Sequence, residues 1–213
     1  MSIRLCGGLG VNDADYQVTT YIVSQGKRKR VWICPYYARW KCLMERLGPY
    51  NTQVAYIGRS CCEDWTYFSK FKGWMESQIW EGLHLDKDIL KPGNKVYSPE
   101  TCAFVPHWIN TLFMTNTHRK GDYPLGVALS YKGLYRAQVS SVLTNTNVHL
   151  GMHVDPFSAH KAWQEGKIGQ IKQAVKIYQQ ESCFREDVMI AILSRVDVLK
   201  EDLKNNRETT DFI

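Results

Sequence analysis

The chain has 213 residues and a mass of 24.6 kDa, with 44% hydrophobic and 23% charged side chains. That is room for one large domain or two to three small ones, and it excludes a disordered, collagen-like or fibrous protein. No apolar run approaches the roughly 18 to 20 residues that a bilayer-spanning helix needs, and the N-terminus has no charged leader before an apolar stretch. Neither a membrane span nor a signal peptide is expected.

Lys and Arg number 27 against 21 Asp and Glu, a net charge of +6. Such an excess favours contact with phosphates without specifying it. Along the chain it resolves into +5 over residues 1–50, +1 over 51–120, +3 over 121–178 and −3 over 179–213. The seven cysteines (6, 34, 42, 61, 62, 102 and 183) are odd in number and irregular in spacing, so buried thiols are expected rather than a disulfide framework. No C-x-x-C pair occurs, and adjacent Cys61 and Cys62 suit a structural zinc site poorly.

In chain order, residues 16–24 are rich in Thr, Tyr, Val and Ile and predict a strand. Gln25-Gly26 turns it and 31–34 returns, giving a hairpin tipped by Lys27, Arg28, Lys29 and Arg30, candidates for a phosphate backbone. Pro35 opens a helix that Gly48-Pro49 ends. A second helix is predicted from Asp64, because Trp65, Phe68, Phe71, Met75 and Ile79 recur at steps of three and four. Residues 83–90 and 101–105 read as strands joined by a turn-rich loop, and Pro106 starts a helix to about Met114. Residues 123–131, 134–142 and 147–152 predict a three-stranded antiparallel meander. Asp155 and Pro156 then open a helix to about Gln180. The tail helix carries Met189, Ile192, Val196, Leu199 and Leu203 at steps of three and four. That seam favours packing on its own domain, with a homodimer as the alternative, and the chain is expected to fray from Asn205.

The most specific stretch is Leu85-Asp86-Lys87-Asp88-Ile89, then Gly93-Asn94-Lys95-Val96-Tyr97-Ser98-Pro99-Glu100-Thr101-Cys102, and finally Asn110. A hairpin folded over a helix can bring Asp86 and Asn110 together. One carboxylate oxygen and one amide oxygen, completed by water and phosphate, is a usual way to hold Mg²⁺. Without more, Asp86, Lys87 and Asp88 also read as an exposed charged strand.

Over residues 56–116 this pattern resembles the HNH, or ββα-metal, nucleases encoded by bacteriophages. The resemblance implies an α+β fold with a ββα-metal core over 51–120 and hydrolysis of phosphodiester bonds with Mg²⁺ or another divalent cation such as Mn²⁺. It implies Asp86 and Asn110 as metal ligands, Thr101 at the family's central Asn position, and Lys87 where the family carries its general-base His. Lys87 would then stabilise phosphate charge, Asp88 or a metal-bound water would supply the base, and His84 and His107 stand in reserve.

A second resemblance covers about 121–165. Tyr123-Pro-Leu-Gly-Val127, Leu134-Tyr-Arg-Ala137, His149-Leu-Gly-Met152 and Asp155-Pro-Phe-x-Ala-x-x-Ala-Trp163 are similar to the Apetala-type DNA-binding domain, a three-stranded sheet backed by one helix. That domain would occupy 121–178, with the C-terminal helix and tail at 179–213. Strand alternation puts Val127, Ala137, Val139, Val148 and Leu150 toward the helix. Ala128, Ser130, Arg136, Gln138, Ser140, Asn147 and His149 would face double-stranded DNA.

The two resemblances together imply a DNA endonuclease of the homing or nicking type in the cytoplasm of an infected bacterial host. The Lys87 and Thr101 departures leave a non-cleaving DNA-binding protein, a regulator or genome-protection factor, as the alternative. A protein-interaction module acting through the tail helix is a third reading.

Overall fold

The computed structural model describes residues 5–113, 123–130, 132–141, 144 and 146–210. The protein is mixed α+β, with five helices and several small sheets among these residues. It forms two compact units, residues 1–81 with 94–104, and residues 82–93 with 105–213.

In the first unit, β1 (Thr19–Ser24) and β2 (Lys27–Ile33) pair as an antiparallel ribbon. Gln25 and Gly26 connect them at φ 50° and 73°, the left-handed pair that a two-residue hairpin turn requires. The predicted hairpin is therefore present, but the four cations lie along β2 rather than at its tip. Pro35 opens α1 (Pro35–Leu47), which buries Trp40, Leu43 and Met44. The Trp40 indole N–H donates to the Trp65 carbonyl at 2.8 Å, satisfying its one polar group inside the core.

The helix predicted from Asp64 is interrupted. A 3-10 turn over Glu63–Thr66 stops at Tyr67, and α2 runs only from Phe68 to Glu76. The cause is long-range: Val11 accepts from the Phe68 N–H and donates to Thr66, so residue 67 is held extended beside the N-terminal loop. Phe68, Phe71 and Met75 are buried as the periodicity requires, whereas Ile79, beyond the helix, is 62% exposed. A two-residue parallel pair, β3 (Ser60–Cys61) with β5 (Val96–Tyr97), was not foreseen.

The second unit begins with β4 (His84–Asp86), shorter than the strand read over 83–90. The sixth strand, β6 (Ala103–Val105), carries the chain across the division into this unit. Next comes α3 (His107–Asn110), a single turn where a longer helix was expected. The predicted end at Met114 lies outside the described residues.

Strands β7 (Val127–Leu129), β8 (Tyr135–Ser141) and β9 (Thr146–His153) form the expected antiparallel meander in that order. Helix α4 (Pro156–Tyr178) packs on one face, burying Ala159, Trp163 and Ile171. Asp155 caps it, with Oδ1 accepting the Ser158 N–H at 2.9 Å. Gly126, at φ 77°, lets the backbone approach Trp163 so closely that a Cβ there would sit 1.9 Å from the indole.

Helix α5 (Glu186–Lys204) packs against α4 through Val188, Ile192, Val196 and Leu199. Of the predicted seam, Ile192, Val196 and Leu199 are thus buried in their own unit, Met189 and Leu203 are half-buried, and Val188 takes the place beside Met189. The tail does not fray at Asn205. Arg207–Thr209 return over α4, where the Gln164 amide donates to the Arg207 carbonyl at 3.0 Å and to Thr209 Oγ1 at 2.9 Å. No helix among the described residues is long and apolar enough to cross a membrane. The cysteines are all free, with Cys34, Cys102 and Cys183 buried and Cys42 exposed, so the expectation of buried thiols holds for fewer than half of them.

Candidate functional site

Asp86, Lys87, Asp88 and Asn110 all fall in the second unit. Asp86 ends β4, and its Oδ1 accepts the backbone N–H groups of Asp88 at 2.7 Å and Ile89 at 2.6 Å. A carboxylate that captures its own downstream amides offers the backbone an alternative to the strand ladder, which is why β4 stops here. Burial pushes the Asp86 carboxyl above the usual carboxylate range, opposed by the two N–H bonds and by the neighbouring Lys87.

The same turn replaces the exposed charged strand that was the other reading of its neighbours. Lys87 is buried rather than an exposed member of a charged strand, and its ammonium is ion-paired with half-buried Asp88. An ammonium so placed is a poor partner for a substrate phosphate, and Asp88 is engaged by it. Both side chains read as parts of the turn.

Helix α3 packs against β4 and places half-buried Asn110 on the element facing Asp86. The contact brings His84, two residues before Asp86, onto His107, three residues before Asn110. The two imidazole rings lie 4.6 Å apart between centroids and are tilted by 41°. Residues two apart on a strand share a face, as do residues three apart on a helix. Asp86 thus lies two residues along β4 from one imidazole, and Asn110 three residues along α3 from the other.

A carboxylate and an amide oxygen are donor types that a hard divalent cation takes. Asp86 Oδ1 is held by backbone amides, and ligating carboxylates are commonly fixed by such hydrogen bonds. Asn110 would add an amide oxygen. Among the described residues, no group of three or more His, Cys, Asp or Glu side chains is placed to hold a metal by itself. Water and phosphate would have to complete the shell, as they usually do for Mg²⁺.

A polar groove of about 500 Å³ starts at this helix. His107, Trp108 and Thr111 line one side, and Ser140, Ser141, Thr146 and Asn147 the other. It runs from His107 to the end of the β8–β9 hairpin.

On that sheet the registers are Arg136 with Ala128 and Met152, Gln138 with His149, and Ser140 with Asn147. Partners share a face, and Arg136, Ser140, Asn147 and His149 are exposed while Gln138 and Ser130 are half-buried. Ser140 Oγ donates to Asn147 Oδ1 at 2.8 Å. The opposite face carries buried Ala137 and Val139 toward α4. Leu150 also faces α4, since a Cβ added to Gly166 would meet it at 2.6 Å. Val148, expected toward the helix, pairs with Val139 yet remains 38% exposed.

Two contributors escaped sequence reading. A bulge at Ala137/Gln138, with Gly151 at φ 118°, shifts the parity of β9 and brings Met152 onto the Arg136 face. Glycine inside a strand was the available signal. Arg195 of α5 is buried and donates to the carbonyls of Ile89 at 2.7 Å and Asp88 at 2.9 Å, bracing the turn that begins at Asp86. An arginine inside the apolar seam of α5 was its trace.

Thr101 belongs to the other unit, where its hydroxyl donates to the Val96 carbonyl at 2.8 Å and closes the loop after β5. Lys27, Arg28, Lys29 and Arg30 are likewise in the first unit, exposed along β2. No protein-family profile, curated protein or solved structure matches the chain.

Proposed function

We propose that the chain is a metal-dependent DNA endonuclease of the HNH type, with a ββα-metal core and an Apetala-like sheet that docks on duplex DNA. The observation that carries this reading is the pair His84 and His107, rings 4.6 Å apart, formed where the strand bearing Asp86 meets the helix bearing Asn110. An imidazole is the side chain whose ordinary pKa suits proton transfer near neutral pH. It meets the need left by the lysine at position 87.

Asp86 and Asn110 would hold Mg²⁺ or Mn²⁺, which when bound supplies charge stabilisation at a phosphate oxygen. One histidine of the pair takes the proton of the attacking water, and its neighbour fixes its orientation. The sheet face from Arg136 to Asn147 docks on the duplex; Arg and Gln side chains suit purine edges in the major groove. The groove between α3 and the end of the β8–β9 hairpin leads the backbone toward His107. A homing or nicking role in an infected bacterial cytoplasm is the setting we propose for this activity.

One observation favours a second reading, a DNA-binding protein that does not cleave. Lys87 is buried against Asp88, and the carboxylate of Asp86 is partly used by its own turn. A supercoiled-plasmid assay with Mg²⁺ separates the two: wild type should yield open circles, and His84→Ala and His107→Ala should each slow nicking at least 100-fold while duplex binding persists. Binding without nicking in wild type, with every divalent ion tried, leaves the second reading standing.

A further inference from the structure

The β1–β2 ribbon is exposed over nearly its whole length, on both faces. Val23 is 75% exposed and Ile22 49%. From Thr19 to Ile33 the chain has four cations and no Asp or Glu. A bare two-stranded ribbon is marginally stable in water and invites a partner.

The register decides which partner. Tyr21 pairs with Arg30, Ile22 with Lys29, Val23 with Arg28 and Ser24 with Lys27. Paired residues share a face, so Arg28 and Arg30 lie on one side with Tyr21 and Val23, and Lys27 and Lys29 on the other with Ile22. The Arg28 guanidinium sits 4.0 Å from the Tyr21 ring centroid, which confirms the first grouping and holds that cation in place. Each side therefore carries two positive charges mixed with apolar groups.

An anionic lipid surface calls for the opposite arrangement, apolar groups on one face and cations on the other. Cations on both sides of a thin ribbon suit a slot with two negative walls. The major groove of duplex DNA is such a slot, about 12 Å wide, and it admits a two-stranded ribbon.

We infer that the β1–β2 ribbon is an arm that enters the major groove, with Lys27 and Lys29 toward one phosphate wall and Arg28 and Arg30 toward the other. This rests on the duplex-DNA reading above but not on cleavage. Its contribution is independent of base sequence, since its cations address phosphates.

The test is fluorescence anisotropy of full-length protein on a random-sequence duplex of about 30 base pairs, in EDTA, across a KCl series. Each phosphate contact contributes about 0.9 to the slope of log K against log salt. The pairs Lys27→Gln/Lys29→Gln and Arg28→Gln/Arg30→Gln should each lower the slope by about 2, and all four substitutions by about 4. Guanine N7, which opens into the major groove, should be protected from methylation by wild type and less so by the quadruple variant. If only one pair changes the slope, the ribbon lies flat on a single backbone and the groove assignment is wrong. An unchanged slope in both pairs, or binding to phosphatidylserine vesicles that both pairs abolish while duplex binding is unaltered, also overturns it. Wild type that binds no duplex removes the DNA reading itself, and the arm with it.

Discussion

Arg195, in the C-terminal helix, holds the carbonyl of Ile89 at 2.7 Å across 106 residues of sequence. Its second nitrogen reaches the Asp88 carbonyl at 2.9 Å, and its guanidinium lies 5.0 Å from the Phe113 ring centroid. Burial lowers its pKa, while Asp86 and Asp88 favour its charge. The turn on which the candidate site stands is thus fastened from the end of the chain.

Replacing Arg195 by Met should leave two turn carbonyls without their donor and cost roughly 2–4 kcal/mol of stability. Urea unfolding measures the total. Hydrogen exchange at the Asp88 and Ile89 amides, which bond to Asp86, reads the local effect and should accelerate more than the α4 amides. Equal acceleration everywhere would mean that Arg195 supports only global stability.

His160 is fully buried, with Nδ1 donating to the Leu125 carbonyl at 2.9 Å and Nε2 accepting the Thr209 N–H at 3.0 Å. That pattern requires the neutral ring. Burial lowers its pKa below 6.5, outweighing the Leu125 bond and the charges of Glu208 and Asp202. Its contribution to stability is complete above the unfolded value of 6.5 and declines as pH falls below it, because the unfolded chain takes up the proton first. Melting temperatures from pH 7.5 to 5 should fall more steeply for wild type than for His160→Gln. Parallel curves would contradict the assignment.

Gly126 and Gly133 share a left-handed backbone but differ in surroundings. A Cβ at Gly126 collides with Trp163, whereas one at Gly133 meets nothing within 4 Å. Gly133→Ala should therefore cost about 1–2 kcal/mol from conformation alone. Gly126→Ala adds overpacking, for a total of roughly 2–5 kcal/mol. Denaturant midpoints of the two variants make the comparison.

On the open sheet face, Arg136→Ala and Gln138→Ala should change which sequences are preferred, each altering discrimination by about 1–3 kcal/mol at its base pair. Selection from a randomised duplex pool would show it. The cations of β2 should instead weaken all sequences alike. Loss of affinity without any change in preference at Arg136 and Gln138 would remove base reading from this face.

Much of the framework was legible because it is encoded locally. Pro35 and Gly48 bound α1, Asp155 and Pro156 open α4, and alternation in β8 separates Ala137 and Val139 from Arg136 and Ser140. What stayed hidden depends on distant partners. The break at Tyr67 exists because Val11 takes the adjoining backbone groups, and the polar tail is ordered because Thr209 finds His160. At the site, Asp86 and Asn110 were nameable from their pattern. The burial of Lys87 was not, because a side chain capturing two amides ended the strand on which its exposure was predicted. Likewise, His84 and His107 could be suspected separately, and only the packing of α3 on β4 makes them a pair.

The central claim is that Asp86 serves metal-dependent phosphodiester cleavage, and nicking of supercoiled plasmid by wild type and Asp86→Asn, with Mg²⁺ or EDTA, tests it most directly. Wild type should nick with Mg²⁺ and not in EDTA, and Asp86→Asn should lose at least 100-fold in rate while retaining its fold and salt-sensitive duplex binding. Nicking by Asp86→Asn at the wild-type rate, or a wild type that binds duplex and never nicks it, would contradict the account.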